Sequence, residues 1–151
     1  MSVLGFSPLQ KPGAAVGINL HLRDQQAPFH DFGIEACAAM TDEELEGQLN
    51  NASLIRNRNK IFSVRKNAQA VQKIQKEFGS FDAYLWSFAD GQQIDGHWKT
   101  PTEVPTASDV SRRMSADMKK RGIGFVGPVI TYSFLQAIGI VNDHLADCEY
   151  R

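Results

Sequence analysis

Lys119-Lys120-Arg121-Gly122-Ile123-Gly124-Phe125-Val126-Gly127-Pro128 reads as a tight glycine-rich hairpin joining two helices. Upstream of it, Val110, Met114 and Met118 recur every four residues, which draws one apolar stripe along a helix over 108–120. Gly122 supplies the stop, because the residue just past a helix end commonly adopts the left-handed conformation that glycine tolerates. Pro128 suits a first helical turn, where no N–H is needed, and Val129, Leu135 and Ile138 continue a second helix to Gly139. That helix would begin with unpaired N–H groups beside Gly124 and Gly127, neither of which has a Cβ to hold a ligand away.

Unpaired donors and the helix dipole together favour an anion at such a terminus. Arg112, Arg113, Lys119, Lys120 and Arg121 lie close in sequence, against Asp117 alone, so a nucleic-acid phosphate is the expected anion. A second reading stays open, in which the glycines only cap helices and the basic residues form a solvated face.

The rest of the chain bounds the answer. With 151 residues, 42% hydrophobic and 22% charged, it is expected to form one domain around a single core, and it has no apolar run long enough to cross a bilayer. No secretion signal is read at the start, and two cysteines, Cys37 and Cys148, fit a reducing compartment, so a cytoplasmic protein is expected. The formal net charge of -1 is uninformative as a total. Its distribution is not: residues 24–46 carry Asp24, Asp31, Glu35, Asp42, Glu43, Glu44 and Glu46 without Lys or Arg. Residues 56–76 carry Arg56, Arg58, Lys60, Arg65, Lys66, Lys73 and Lys76 without an acid. An electrostatic footprint can therefore exist on a nearly neutral molecule.

Residues 1–28 show neither a helical nor a strand period and are broken by Pro8, Pro12, Gly13, Gly17 and Pro28, which predicts an irregular segment. Thr41-Asp42-Glu43-Glu44 fits a capping box, with Met40 and Leu45 as a hydrophobic staple. Ile61, Val64, Ala68, Val71, Ile74 and Phe78 mark one long amphipathic helix that ends at Gly79. Its cations could line a DNA groove or form a solvated face. Ser80 can cap a short helix whose aromatic cluster, Phe81, Tyr84, Leu85, Trp86 and Phe88, reads as core. The polar stretch from Ala89 to Pro105 reads as a surface loop, and Thr106 or Ser108 as the cap of the helix entering the hairpin. Without sustained alternation anywhere, the fold class is all-α, a helix-hairpin-helix nucleic-acid binder over 29–151.

Several runs carry a family resemblance. Leu54-Ile55-Arg56-Asn57-Arg58-Asn59-Lys60-Ile61, Leu85-Trp86-Ser87-Phe88, Met118 to Gly127, Tyr132-Ser133-Phe134-Leu135-Gln136-Ala137 and Gly139-Ile140-Val141-Asn142-Asp143-His144 resemble the DNA-3-methyladenine glycosylase I family, in its order and spacing, over roughly 29–150. The resemblance implies a helix-hairpin-helix DNA glycosylase-like domain that acts in base excision repair. Such an enzyme hydrolyses the N-glycosidic bond of 3-methyladenine in double-stranded, alkylated DNA, and a monomer is expected. The implied DNA-binding residues are Lys119, Lys120, Arg121, Gly122, Gly124, Phe125, Gly127, Tyr132 and Ser133. No catalytic residue is assigned. For Tyr132 two readings stay open: a residue facing DNA or the pocket, and a core aromatic with a satisfied hydroxyl. Asp143 is expected to orient His144 or close a turn rather than act as a general base.

The resemblance also implies zinc. His144 and Cys148 match the family's His-x-x-x-Cys ligand pair, and that spacing brings both side chains to one ion from a single helical turn. The family's other two ligands, together with its Tyr-His-Asp-x-Glu-Trp-Gly run, base-recognising glutamate, intercalating leucine and stacking tryptophan, are not found in residues 1–28. His21 and His30 lie outside that run and Cys37 in the wrong segment. An N-terminally incomplete domain is therefore expected, and with it an alternative function: a catalytically inactive helix-hairpin-helix module that binds DNA and removes no base. A third reading is a small metal-binding or protein-interaction domain without DNA contact.

Overall fold

The computed structural model describes residues 27–52 and 54–149. The irregular segment expected over 1–28 falls almost wholly outside these described residues. Six α-helices follow a 3-10 turn at Ala27–Phe32: α1 (Ile34–Ala39), α2 (Asp42–Gln48), α3 (Arg58–Phe78), α4 (Phe81–Trp86), α5 (Asp109–Lys120) and α6 (Pro128–Ala137). The fold is all-α, as expected. The polar stretch from 89 to 105 is not all loop, however: Ile94–Asp95 (β1) pairs in parallel with Val141–Asn142 (β2). Two residues are too few to show an alternating pattern, so nothing in the local sequence betrays the pair.

Capping chemistry sets the helix boundaries. Thr41 and Glu44 exchange backbone and side-chain bonds as a complete capping box, while Met40 and Leu45 are both buried in one cluster. Asn57, Ser80 and Ser108 cap α3, α4 and α5 in turn. The helix over 34–39 was not expected, since its six alanine-rich residues are too short to show a period.

α3 is the spine. At 21 residues it is about 30 Å long, and two apolar clusters pack along it. Ile61 and Ala68 join Phe29, Cys37, Met40 and Leu45, on the side of α1 and α2. Ala70 and Ile74 join Tyr84, Leu85, Met114, Met118, Leu135 and Ile140, from α4, α5 and α6. The opposed charge blocks meet on the way: Glu46 pairs with Arg58, and Asp42 with Arg65 at 2.5 Å. Two of the seven cations read from the sequence are thereby neutralised by the acidic segment, leaving less of α3 for an external anion.

Candidate nucleic-acid interface and adjoining cleft

The hairpin begins with a Schellman closure. Ile123 donates its N–H to Met118 O and Gly122 to Lys119 O, both at 3.0 Å, with Gly122 at φ +92° and Ile123 buried. Two side chains then hold the tip. Asn67 of α3 accepts from the Gly124 N–H at 2.8 Å and donates to Gly124 O at 3.3 Å. Ser115, buried on α5, donates to Val126 O at 2.5 Å. The small serine lets the second limb lie close against the helix.

The N–H groups at the start of the second helix are the open donors. The Gly124 N–H serves Asn67 and is not free for a ligand. Among the described residues, the N–H groups of Phe125, Val126, Gly127, Val129 and Ile130 make no hydrogen bond, and Pro128 has none to offer. A Cβ on Gly127 would meet nothing within 4 Å, so space in front of the helix start is open. The anion-binding features read from the sequence are thus present, carried by the residues around Gly127 rather than by Gly124.

The cations divide. Arg121 is held by Glu77 at 2.6 Å and Asp117 at 2.6 Å, and its guanidinium lies 5.0 Å from the Phe78 ring centroid. Glu77, 44 residues away in sequence, takes Arg121 out of the free set. Arg112 pairs with Asp109, and Arg113 donates to Phe88 O. Lys119 and Lys120 are exposed and have no ion pair among the described residues. Burial pushes Asp117 up, yet hydrogen bonds from Arg121 and Tyr84 outweigh it and hold this carboxyl below its ordinary value.

Ser133 and Phe125 are exposed; Tyr132 is not, at 4%. Its hydroxyl donates to Asp143 at 2.5 Å, and burial followed by that bond pushes its ionisation far up. Tyr132 is thus a buried aromatic with a satisfied hydroxyl that also lines a cavity beside Trp98 and Asp143.

Asp143 is the hub of the adjoining cleft. Its carboxylate accepts from Trp98 Nε1 at 2.6 Å, Tyr132 Oη at 2.5 Å and Gln136 Nε2 at 2.7 Å, tying the 94–98 loop to α6. A carboxylate so engaged is not a free base, and any hold it has on His144 runs through the loop it pins rather than through a direct bond. Gly96 makes the arrangement possible, because a Cβ there would lie 2.0 Å from Trp98 Nε1 and 2.6 Å from Asp143 Oδ1. Trp98, Gly96 and Gln136 were not found by sequence reasoning; the partners are 45 and 7 residues from Asp143, and no period links them. On the other side, a cleft of about 430 Å³ is lined by Gln93, Gln136, Asn142, Asp143 and His144.

His144 Nδ1 and Cys148 Sγ lie 3.4 Å apart, on a turn rather than on the helical turn expected. That separation suits two vertices of a zinc tetrahedron. No cluster of three or more His, Cys, Asp or Glu able to hold a metal occurs among the described residues. Cys37 is elsewhere, its thiol buried and donating to Phe29 O.

Comparison with known proteins agrees with this architecture. The chain is 39% identical over 123 residues to DNA-3-methyladenine glycosylase 1 of Escherichia coli, covering 82% of this chain and 66% of the relative. It is 37% identical over 120 residues to DNA-3-methyladenine glycosylase of Haemophilus influenzae, covering 80% of this chain and 65% of that one. It therefore spans just under two thirds of the length of these relatives. A crystal structure of a variant 3-methyladenine DNA glycosylase I in complex with 3-methyladenine superposes with a TM-score of 0.82 at 31% identity, over 86% of this chain and 70% of the other. The family model for methyladenine glycosylases matches residues 19–151. With the hairpin, the helical order and this match in hand, the chain belongs to the methyladenine glycosylase family.

Proposed function

We propose that this chain is a base excision repair glycosylase that binds double-stranded alkylated DNA and hydrolyses the N-glycosidic bond of 3-methyladenine, working as a cytoplasmic monomer. The observation that carries the reading is the row of unbonded N–H groups around Gly127, with two unpaired lysines at the end of α5. Phosphates would dock there, drawn by Lys119 and Lys120. A damaged base must leave the stack to be cut, and its weakened pairing lowers a cost of a few kcal/mol. Because 3-methyladenine departs from a cationic nucleotide, the protein need hold and orient the base more than force the bond. No helix among the described residues is long and apolar enough to cross a membrane.

The test is incubation with methylated duplex DNA and assay of free base. Release of 3-methyladenine at enzyme-like turnover supports excision. Salt-sensitive binding without release supports the second reading, a DNA-binding module that removes nothing. Asp117 and Asp143, bordering the hairpin and the cleft, are tied by Arg121 and Tyr84 and by three donors respectively, so excision would rest on holding the base and on its own leaving ability. Neither is poised as a general base.

Zinc belongs to the same proposal. His144 and Cys148 would hold it through Nδ1 and Sγ, with Cys148 as thiolate. Bound zinc would supply a structural clasp at the 144–148 turn. Two protein donors fill half of a tetrahedral site, so the remaining ligands come from outside the described residues or from solvent.

A further inference from the structure

We infer that Phe125, at the tip of the hairpin, is a stacking platform for one unpaired DNA base, with Lys60 and Lys66 of α3 holding the phosphates beside it. This rests on the DNA-binding reading above. Phe125 is 51% exposed and sits at φ +59°, a left-handed backbone conformation uncommon for a bulky side chain. The ring is not held out by packing of its own. It is held by its neighbours: Asn67 clamps Gly124 from one side and Ser115 clamps Val126 from the other. Residues kept in such strained conformations by over-determined surroundings concentrate at functional sites.

Between the ring and α3 runs a groove of about 300 Å³, lined by Asn59, Phe62, Ser63, Lys66 and Asn67 among others, with no carboxylate among its lining residues. Lys60 Nζ is 6.0 Å from the Phe125 ring centroid. Lys66 is exposed and has no ion pair among the described residues, whereas Arg58 and Arg65 on the same helix are neutralised by Glu46 and Asp42. The row of unbonded N–H groups starts at Phe125 itself. An occupant must therefore offer a flat face and negative charge within a few ångströms of each other. A nucleotide does both, and base–aromatic stacking tolerates any base because each has a π-face. A paired duplex offers phosphates but no free face, so the ring distinguishes DNA with an unpaired base from DNA without one.

The experiment compares binding of two short duplexes, one fully paired and one carrying a single unpaired adenine, at fixed salt. Phe125→Gly is the informative variant, since glycine adopts φ +59° freely and removes the ring alone; Phe125→Trp restores a stacking face. The expected result is an affinity loss of about 5–100-fold for the unpaired-base duplex with Phe125→Gly. The same variant should change the paired duplex less than about twofold, and Phe125→Trp should recover the binding. Lys66→Glu should weaken both duplexes. Equal affinity of Phe125→Gly and wild type for the unpaired-base duplex, or equal losses on both duplexes, overturns stacking and leaves DNA binding standing. Wild-type protein that binds neither duplex overturns both readings.

Discussion

Removing the Asp143 carboxylate should destabilise the domain by roughly 2–4 kcal/mol, and the figure follows from what each donor does afterwards. In Asp143→Ala the Tyr132 hydroxyl, buried on α6, is left without a partner, which costs about 1–3 kcal/mol. Trp98 Nε1 is half-buried and recovers part of its loss from water, so it adds roughly 1 kcal/mol. Gln136 lines the open cleft and rehydrates at nearly no cost. Against a domain stability on the order of 5–15 kcal/mol this is a large fraction, equivalent to a fall in Tm of about 5–15 °C. Urea unfolding followed by far-UV circular dichroism measures it, and the near-UV signal of Trp98 reports whether the loop has come away. The control is Tyr132→Phe, which removes the most expensive orphan in advance. In that background Asp143→Ala should cost at least about 1 kcal/mol less. A cost under about 0.5 kcal/mol, or additive behaviour with Tyr132→Phe, would refute the claim that this carboxylate holds loop and helix together.

Gly96→Ala should reproduce most of the Asp143→Ala loss and of its near-UV change, because a Cβ 2.0 Å from Trp98 Nε1 forces the indole off the carboxylate; unchanged near-UV dichroism would contradict this. At alkaline pH, Tyr84 and Tyr132 ionise near pH 10 when unfolded but well above it when folded, burial being the first cause in both. Their contribution is complete below about pH 10 and disappears as the pH rises beyond it, so urea midpoints should fall there, and less so in Tyr132→Phe. At acid pH the sign reverses. Glu77, lowered by its bond to Arg121, and Asp117, raised by burial but lowered more by Arg121 and Tyr84, contribute above about pH 4, and that contribution is lost as the pH falls further. Arg121→Met should flatten this acid limb of a pH–stability curve. For the metal pair, cobalt(II) should give a thiolate charge-transfer band with wild type and none with Cys148→Ser or His144→Ala.

The parts of the fold that were legible are those written in local chemistry. Thr41 to Glu44 specify a helix start by two reciprocal bonds within four residues, and Gly122 with Pro128 specify an end and a beginning by what their backbones permit. The spine α3 is visible because six apolar positions hold a helical period over more than four turns. What was hidden is long-range. Asn67 captures the Gly124 N–H across 57 residues, and Glu77 captures Arg121 across 44, and neither polar residue has any feature that announces a distant partner. The hairpin and the unbonded N–H groups at the start of its second helix follow from local sequence, while the charge around it is overstated by two cations, Arg112 and Arg121, which carboxylates pair. Tyr132 shows the same limit. Its place just past the glycine hairpin suggests an outward role, but helical phase, shared with the buried Thr131 and Leu135, turns it inward.

The cleft and the metal pair are one construction, and the order of residues in Asn142-Asp143-His144 explains how. Gly96 donates to Asn142 O at 3.0 Å, and Ala146 donates to Trp98 O at 2.8 Å, so the 94–98 loop is stitched to the chain on both sides of His144. Between those stitches Asp143 pins the indole of Trp98. Asn142 Oδ1 accepts from the His144 N–H, which fixes where the imidazole leaves the backbone. His144 is thus positioned by its two neighbours and by a loop nearly fifty residues earlier, while Cys148 is brought to 3.4 Å by the turn those bonds hold. A donor pair set by hydrogen bonds loses less conformational freedom on meeting a cation than a pair on a loose tail. On the zinc proposal, Asp143 would set how tightly the pair holds a cation without touching it. Asp143→Ala should therefore weaken cobalt(II) binding through a faster off-rate while leaving the charge-transfer band at its wild-type wavelength, since the ligands are loosened and not replaced.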